Sequence, residues 1–462
     1  MTEEKQLKFL QAASLGMVLL NAFTTPLMLS AANVALPAIA RDLQLNAVIL
    51  SWIPMAYLMA SAMFVLVFGR IADMVGRKRI FIAGTVCVIF TSLLAFFATS
   101  GFWLIGARFL QGISAAMLYA TQIAIISSVF PPAKRGQMIG LTIAMIYLGL
   151  SFGPVAGGFL IDIAGWRYSF IFHIPLALVV LLIAVLFVKT EWLAEDPGKF
   201  DLKGAAVYSI TIVSLCTGIS LLPVAWSWFL IFTGICGMIL FVHLARNTEH
   251  PIFDVRLFYR NRVFAMSSLA SFILYTATFA NVVLIGLYLQ YIRGMSASAA
   301  GLIMMIQPVT MAAVSPIAGK ISDHLEPRLI ATFGMLVTFT GLVLLLFLDG
   351  TSSQSYLVAA LVTTGIGFSL FSSPNTNAIM GSVEKRYYGS ASGSIATMRT
   401  LGQMSSMVLV TLVFALVIGQ VEIQPDNYTD LQKAIRICFS LAALLCLPGM
   451  VFSFSRGNVH SK

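Results

Sequence analysis

Long apolar runs separated by short polar segments dominate the chain. A membrane-spanning helix needs about 20 apolar residues, and fourteen runs are long enough to be read as spans, numbered 1 to 14 in chain order. They lie at residues 10–38, 46–69, 80–99, 102–130, 137–162, 169–189, 202–222, 226–244, 262–292, 298–321, 328–348, 354–381, 389–418 and 434–455. The pattern predicts an all-α membrane protein with fourteen transmembrane spans.

Composition agrees with that prediction. Hydrophobic residues make up 59% and charged residues 10% of the 462 residues, whereas soluble proteins carry roughly 25% charged residues. Of the 28 Lys and Arg, five lie in loops on one side and two within spans, which leaves 28 − 5 − 2 = 21 on the other side. Basic loops face the cytoplasm, so we expect both termini to be cytoplasmic. This asymmetry explains the net charge of +10 without a nucleic acid partner.

The loop between spans 2 and 3, Gly69–Arg79, is strongly basic and contains one carboxylate. We expect Gly69 to permit close backbone approach and Gly76 to take the positive φ of a tight turn. Asp73 lies one helical turn beyond Gly69, and it can reach the positive N-terminal end of a neighbouring helix, such as the start of span 13. The alternative is an ordinary basic loop on the cytoplasmic side.

A second copy of this loop indicates that the chain is a repeat. Gly319 and Asp323 follow Gly69 and Asp73 by 250 positions (319 − 69 and 323 − 73), and Gly112 recurs at Gly365, 253 positions on. The offset matches spans 1–6 with spans 9–14. It predicts a six-span bundle at residues 1–190, two inserted spans with linkers at 191–261, and a second six-span bundle at 262–462. Repeated bundles around a central site are typical of secondary transporters.

Other sources of energy or chemistry lack their motifs. The one Gly-Lys pair, Gly319-Lys320, lacks the upstream glycine and the Ser or Thr of a nucleotide-binding loop. The spans hold no paired catalytic carboxylates or Ser-His-Asp set, so an enzyme is not expected. The histidines are too scattered for a metal site, and we expect no cofactor. They are His173, His243, His250, His324 and His460.

Span 4 begins with Leu104–Ala116, which places Arg108 and Gln111 among apolar residues. Arg108 lies six residues into the span, about 9 Å deep at a rise of 1.5 Å per residue. An ionisable residue at that depth is by default functional and needs a partner. The alternative is an arginine whose side chain extends to the outer interface.

Span 5 carries glycines spaced by four residues. Gly149, Gly153 and Gly157 leave one helix face bare for another backbone to pack on, and Pro154 and Gly158 lie within the same stretch. A hinge or pivot is one interpretation. Plain helix packing is the other.

These motifs resemble those of the major facilitator superfamily, and within it the fourteen-span drug:H⁺ antiporters. The loop Gly69–Arg79 resembles the family's gating loop, Leu104–Ala116 its proton-linked motif in span 4, and Gly149–Gly158 its antiporter motif in span 5. Further family-like stretches are Asn33-Val34-Ala35-Leu36-Pro37, Gly165-Trp166-Arg167, Ile174-Pro175, Tyr288-Leu289-Gln290, Ala300-Gly301 and Arg399-Thr400-Leu401-Gly402.

The resemblance implies a major facilitator fold and a monomeric exporter of small amphiphilic molecules in a bacterial inner membrane, driven by proton antiport through alternating access. It implies a conformational latch at Gly69, Asp73, Gly76, Arg77 and Asp323. It also implies proton or substrate coupling at Arg108, Gln111, Arg399 and Asn33.

One position departs from the family pattern. Members usually carry an acid five residues before the Asn of the Asn-Val-Ala-Leu-Pro stretch, and that position here is Met28. No acid falls in the middle third of a predicted span. Proton coupling therefore requires a rim carboxylate such as Asp42 or Asp162, a histidine, or protonation of the substrate.

The missing acid also bears on the substrate. Arg399 lies ten residues into span 13, about 15 Å along the helix, so we expect the cavity to favour anionic, zwitterionic or neutral molecules over cations. A carrier of organic or lipid-like anions is the alternative among transporters. A membrane-embedded sensor or lipid-handling scaffold is the alternative from another class.

Overall fold

The computed structural model describes residues 3–193, 198–383 and 388–458, without the side chains of residues 3, 132, 133, 323, 388–390 and 392. Fourteen helices in these ranges are long and apolar enough to cross a membrane, as the sequence predicts. In chain order, spans 1 to 14 are Glu4–Val34, Ala47–Val75, Arg77–Phe96, Gly101–Val129, Lys134–Ala164, Trp166–Phe187, Leu202–Ser220, Ser227–Asn247, Arg262–Ile292, Ala297–Ser322, Pro327–Leu346, Gln354–Gly381, Gly393–Val417 and Pro425–Ser455.

Four of the described spans are not continuous α-helices. Span 6 opens with a 3₁₀ turn, continues as the α-helix Ile174–Leu182 and ends as the π-helix Ile183–Phe187. Span 9 breaks between Thr278 and Asn281 and ends as the π-helix Tyr288–Ile292. Span 10 consists of Ala297–Met304 and Ile306–His324. Span 14 opens with the 3₁₀ turn Pro425–Asn427 and continues as the α-helix Tyr428–Ser455. Shorter helices outside the spans are Leu36–Leu43 and Arg256–Arg260.

Two directions and two halves organise the molecule. Because the number of spans is even, span 1 begins and span 14 ends on the same side, called here the termini side, and the other is the opposite side. Spans 1–6 form the first half and spans 9–14 the second. Within the first half, span 1 packs on span 5 and span 4 on spans 2 and 3; in the second, span 9 packs on spans 13 and 14 and span 11 on spans 12 and 14.

The matching glycines of the repeat serve the same purpose in both halves. A Cβ atom on Gly112 of span 4 would overlap the backbone carbonyl of Tyr57 in span 2. A Cβ on Gly365 of span 12 would lie 2.8 Å from the carbonyl oxygen of Gln307 in span 10. In each half a glycine therefore lets two helix backbones pack closely.

Spans 7 and 8 lie outside this pair of halves. Span 7 packs against span 2, where the Tyr208 hydroxyl donates to the Ala62 carbonyl at 3.0 Å, and against span 13, where Cys216 Sγ lies 3.2 Å from Met404 Sδ. Span 8 packs on span 7 and leaves Trp228 and Phe232 more than 60% exposed. Apolar side chains so exposed suit a face directed to lipid. The domain boundaries near residues 190 and 262 remain a prediction.

Candidate functional site

A cavity of about 220 Å³ lies between the two halves. Spans 1, 4, 5, 9, 10, 12 and 13 contribute to its lining. The polar and aromatic members are Ser30, Asn33, Tyr119, Thr142, Tyr147, Tyr275, Thr278, Phe279, Asn281, Gln307, Phe368, Ser372, Thr376, Arg399 and Gln403. Most of the remaining lining is Ile, Leu, Met and Val. A mainly apolar pocket with a few polar groups is typical of a small-molecule site.

Arg399 is the one charged residue among the described lining residues. Its guanidinium carbon lies 5.5 Å from the centroid of the Tyr119 ring, which also lines the cavity. The face of an aromatic ring attracts a cation, so Tyr119 orients Arg399 without neutralising it. Asn33 joins the same lining. The structure thus brings together two of the four residues for which coupling was predicted.

The interruptions of spans 9 and 10 fall at the cavity. Thr278, Phe279 and Asn281 surround the break in span 9, and Gln307 follows the break in span 10. Asn281 is 1% exposed, and its Nδ2 has no hydrogen-bond partner in the described part of the chain. Broken helices at a central cavity are a common way for transporters to present polar groups to a substrate.

The two ends of the cavity differ. Toward the termini side its lining reaches Ile139, Met380 and Ile395, which lie within five residues of the termini-side ends of their spans. On the opposite side the halves are joined by hydrogen bonds. Gln290 Nε2 donates to the carbonyl of Val34 at 2.9 Å, and the Ala47 amide donates to Val421 at 3.0 Å. The structure is therefore held together on the opposite side, and the cavity extends toward the termini side.

Asp162, at the opposite-side end of span 5, contributes to that closure. Its two carboxylate oxygens accept hydrogen bonds from the amides of Ala297 at 3.2 Å and Ser298 at 2.9 Å, in the first turn of span 10. The carboxylate thus caps a helix N-terminus of the other half, where a negative charge is favourable. Sequence reasoning noted Asp162 as a rim carboxylate but did not find its partner.

The glycine face of span 5 packs against two helices. A Cβ on Gly149 or Gly153 would overlap backbone or hydroxyl atoms of span 1, and one on Gly157 would lie 2.8 Å from Ala31 Cα. A Cβ on Gly158 would overlap the carbonyl of Ala297 in span 10. The helix itself runs through Pro154 without interruption. Close packing occurs both within the first half and between the halves.

Arg108 and Gln111 lie in a buried cluster apart from the cavity lining. Both side chains are 0% exposed, so Arg108 does not extend to the outer interface. Arg108 Nη1 donates to Gln111 Oε1, and Gln111 Nε2 lies 2.8 Å from Ser92 Oγ and 3.0 Å from Met28 Sδ. Met28 therefore faces this cluster. The sequence did not reveal that the two arginines in spans occupy separate sites.

The basic loop folds around an ion pair. Asp73 Oδ1 accepts hydrogen bonds from Arg77 Nε at 3.0 Å and from Arg77 Nη2 at 2.8 Å. Arg77 Nη1 also donates, at 2.5 Å, to Ser128 Oγ at the end of span 4. Gly76 has a φ of 124°, as predicted. The close approach expected at Gly69 is wrong in this conformation, because a Cβ there would lie 4.0 Å from Ala120 Cβ, an ordinary contact.

Two predictions about this latch concern parts of the chain outside the described residues. The side chain of Asp323, the counterpart of Asp73, lies outside the described residues. Asp73 was expected to cap the N-terminus of span 13. Residues 384–387, which lead into that helix, also lie outside the described residues. The latch roles of both carboxylates remain predictions.

Asp42 stabilises the family-like Trp166-Arg167 pair on the opposite side. Its Oδ2 accepts from Trp166 Nε1 at 3.0 Å and from Arg167 Nη1 at 2.8 Å. Hydrogen bonds from Trp166 and then Arg167 hold the pKa of the Asp42 carboxyl below its ordinary value. Trp166 and Arg167 both lie in the first half, so Asp42 contrasts with Asp162, whose carboxylate bonds to the second half.

Sequence reasoning missed a second buried arginine. Arg456 follows span 14 and was grouped with the cytoplasmic cations, but it is 1% exposed. Its Nη1 donates to Asn375 Oδ1 at 2.6 Å and to Ser267 Oγ at 3.3 Å, joining spans 12 and 9. Burial lowers the pKa of Arg456 to about 10, which leaves it cationic at neutral pH. A charge near a chain end gives no sequence signal of such burial.

A central cavity between two bundles of spans is typical of a membrane transporter. Residues 18–407 match the family model of the Major Facilitator Superfamily. The chain belongs to the major facilitator superfamily, whose members are transporters and not enzymes.

Similar proteins include a riboflavin transporter, RibZ, of Clostridioides difficile, which is 28% identical over 94% of this chain and 95% of its own. The multidrug resistance protein Stp of Mycobacterium tuberculosis is 30% identical over 83% of this chain and 72% of its own. Multidrug resistance protein 3 of Bacillus subtilis is 28% identical over 76% of this chain and 70% of its own.

Solved structures agree on the fold. A bacterial homologue of the human lysosomal transporter Spinster, in an inward-facing, unoccupied conformation, superposes with a TM-score of 0.68 at 15% identity, covering 98% of this chain and 97% of that one. The peptide transporter POT superposes with a TM-score of 0.71 at 14% identity, covering 96% of this chain and 95% of that one. Both comparisons support an all-helical major facilitator fold.

Proposed function

We propose that this protein is a proton-coupled exporter of small amphiphilic molecules, of the fourteen-span drug:H⁺ antiporter type. The observation that carries the proposal is the cavity of about 220 Å³ between the two halves, closed on the opposite side by contacts between the halves and extending toward the termini side. Relatives named as multidrug resistance proteins support export, and the riboflavin transporter shows a relative acting on one polycyclic compound.

The proposed orientation places both termini in the cytoplasm of a bacterial cell, in the inner membrane. The excess of Lys and Arg in termini-side loops supports it. With that orientation the cavity extends to the cytoplasm, so this structure corresponds to the state that takes up a substrate for export. We expect the protein to work as a monomer.

Transport proceeds in this proposal by rocking of the first half against the second, so that the cavity alternates between the two sides. The close-packed faces of span 5 (Gly158) and span 10 (Gly301) supply the pivot, because Gly158 meets the Ala297 backbone and Gly301 meets the Pro154 carbonyl. Asp73, Arg77 and Asp323 act as the termini-side latch in the alternate state.

The cavity's chemistry favours anionic, zwitterionic or neutral substrates. A cation entering it finds Arg399 and no carboxylate among the described lining residues, and like charges repel strongly away from water. An anionic group can pair with the planar guanidinium in bidentate geometry. The Ile, Leu and aromatic lining binds the apolar part of the molecule.

Arg399 also supports a second candidate function, a carrier dedicated to organic or lipid-like anions. Such a carrier would require an anionic group on every substrate, whereas an exporter of the first kind also accepts neutral molecules. The two candidates therefore differ in what happens to a neutral probe.

Flux into proteoliposomes tests the proposal. The probes are ethidium as a cation, riboflavin as a neutral molecule and flavin mononucleotide as its phosphorylated, anionic counterpart, each with and without an imposed pH gradient. Gradient-driven accumulation of riboflavin in preference to ethidium, whether or not flavin mononucleotide also accumulates, supports the exporter. Transport of the mononucleotide alone supports the anion carrier. Binding of the probes without flux contradicts transport and favours a sensor or scaffold.

A further inference from the structure

A chain of hydrogen bonds in the first half ends on a buried histidine that the cavity does not include. His173 lies at the start of the span 6 α-helix and is 0% exposed. Its Nε2 lies 3.2 Å from Ser92 Oγ. Ser92 Oγ accepts a hydrogen bond from Gln111 Nε2, and Gln111 Oε1 accepts one from Arg108. Its Nδ1 has no partner among the described residues. The titratable ring of His173 thus lies at one end of this series of hydrogen bonds, and the permanently charged Arg108 lies at the other.

A second, small cavity lies against the same histidine. It has a volume of about 10 Å³, close to the space that one water molecule needs. Spans 1 and 3 line it with neutral polar side chains, Asn21, Thr24, Thr25 and Thr85. Because a water here would find several hydrogen-bond partners, this site has a place for a proton donor or acceptor beside the imidazole.

Arg108 is the charged group that faces His173 among the described side chains. Spans 1 and 3 present neutral residues, including Met28 and Ser92, and Gln111 and Leu118 face the site from span 4 beside Arg108. An imidazolium here would share a buried network with the guanidinium, and two positive charges repel strongly away from water. Proton binding at His173 therefore favours an arrangement in which Arg108 has moved away from Gln111.

The cluster also connects to the substrate cavity. The Arg108 guanidinium carbon lies 4.5 Å from the centroid of the Tyr57 ring, and the Tyr57 hydroxyl lies 3.2 Å from that of Tyr119. Tyr119 lines the cavity beneath Arg399. A shift of Arg108 thus acts on an aromatic pair that contacts the substrate site.

We propose that His173 is the proton-binding group of the transport cycle. A lone pair on one ring nitrogen takes a proton from a hydronium ion, so that an N–H bond forms, an O–H bond breaks and a water molecule is left. When the proton leaves on the other side, that N–H bond breaks and a water molecule there accepts the proton as hydronium. The positive charge repels Arg108 and, through Tyr57 and Tyr119, alters the cavity. This inference rests on the proposed function, because it names the group that couples a transporter to protons.

His173→Gln tests the proposal, because glutamine can hydrogen bond to Ser92 but cannot titrate. We expect the variant to exchange riboflavin or flavin mononucleotide between equal-pH compartments within about twofold of the unmodified protein and to lose accumulation driven by a pH gradient. His243→Gln is the matched control, since His243 is exposed on span 8, and it should retain both activities.

The outcomes separate this inference from the proposed function. Gradient-driven accumulation by His173→Gln at the unmodified level would overturn the role of His173. Loss of exchange together with accumulation in a folded variant would also overturn it, because it assigns His173 to packing. Absence of gradient-driven flux in the unmodified protein would instead contradict proton coupling itself.

A readout without substrate completes the test. Spin labels at Thr99→Cys and Gly350→Cys, exposed sites on the opposite side of the two halves, report closure as a distance. We expect the distance distribution to change with pH in the otherwise unmodified protein, with one midpoint that His173→Gln removes. An unchanged midpoint in the variant would show that another group binds the proton.

Discussion

Arg399 and Arg108 illustrate what a single residue contributes and what its sequence position conceals. Both are arginines within apolar runs, and the depth of each along its helix could be predicted. The direction of each side chain could not, because polar residues do not single out one helix face: Thr397, Thr400 and Gln403 point in different directions around the helix that carries Arg399. The structure directs Arg399 to the cavity and Arg108 to Gln111. Depth follows from counting residues, whereas the surroundings depend on helices far away in the chain: Arg399 faces Tyr119 of span 4, and Gln111, the partner of Arg108, contacts Ser92 and Met28.

Arg399→Gln should abolish the preference for an anionic substrate. Hydrogen bonds to charged groups contribute about 1.5–3 kcal/mol, so we expect the binding of flavin mononucleotide to weaken roughly 10- to 100-fold and that of riboflavin to change little. Binding measured by flavin fluorescence checks this. Arg260→Gln, at an exposed position outside the cavity, is the control. Equal loss for both flavins would show that Arg399 supports packing and not charge recognition.

Asp73→Asn should impair transport while leaving expression intact. In this structure Asp73 orients Arg77 against the end of span 4, and both side chains are partly exposed. A pair of this kind contributes about 1 kcal/mol or less, enough to change a balanced two-state equilibrium and reduce flux roughly fivefold. Flux per purified molecule is the measurement.

A matched control for that variant exists near the N-terminus. Glu4 and Lys8 form a pair with the same spacing of four residues, but both side chains are more than 70% exposed. Glu4→Gln should leave flux unchanged. Asp73→Asn with the flux of the unmodified protein would exclude a latch at this loop.

At the scale of the helix, the sequence predicted that each span exists better than it predicted whether the span is one continuous helix. Hydropathy averaged over about 20 residues finds a span, and all fourteen are present. The same averaging hides the breaks after Thr278 and Met304. Pro308 marks the second break, because a proline cannot donate to the carbonyl four residues back. No proline or glycine marks the first break, where the Ala280 amide donates to Ser406 Oγ at 3.0 Å. The glycine face of span 5 was predictable because spacing by four residues defines one side of a helix.

Span 5 offers an internal comparison of glycine positions. Gly153→Ala should destabilise the protein, since the added methyl group meets Ser30 and the Leu27 carbonyl, and overpacking typically costs about 1–3 kcal/mol. Gly153→Leu should be worse and inactive. Gly140→Ala, on the same helix with nothing within 4 Å of the added Cβ, should be neutral or slightly stabilising. Thermal unfolding and flux measure both effects, and equal behaviour at residues 153 and 140 would leave span 5 without a packing role.

At the scale of the whole molecule, transport depends on the balance between two closures, and Asp162 provides a way to change it. Its carboxylate caps span 10 across the two halves, and interactions of this kind at exposed sites contribute about 0.3–1 kcal/mol. Asp162→Asn removes the charge and should shift the population roughly two- to fivefold toward a state open on the opposite side.

The labels at Thr99→Cys and Gly350→Cys measure that shift as a larger fraction of long distances. Asp42→Asn is the matched control, because Asp42 is also a carboxylate on the opposite side but bonds to Trp166 and Arg167 within its own half. It should leave the distance distribution as it is. If Asp162→Asn and Asp42→Asn gave the same distribution, the cap on span 10 would contribute nothing to closure. The contacts of Gln290 and Ala47 between the halves would then be sufficient to hold the opposite side closed.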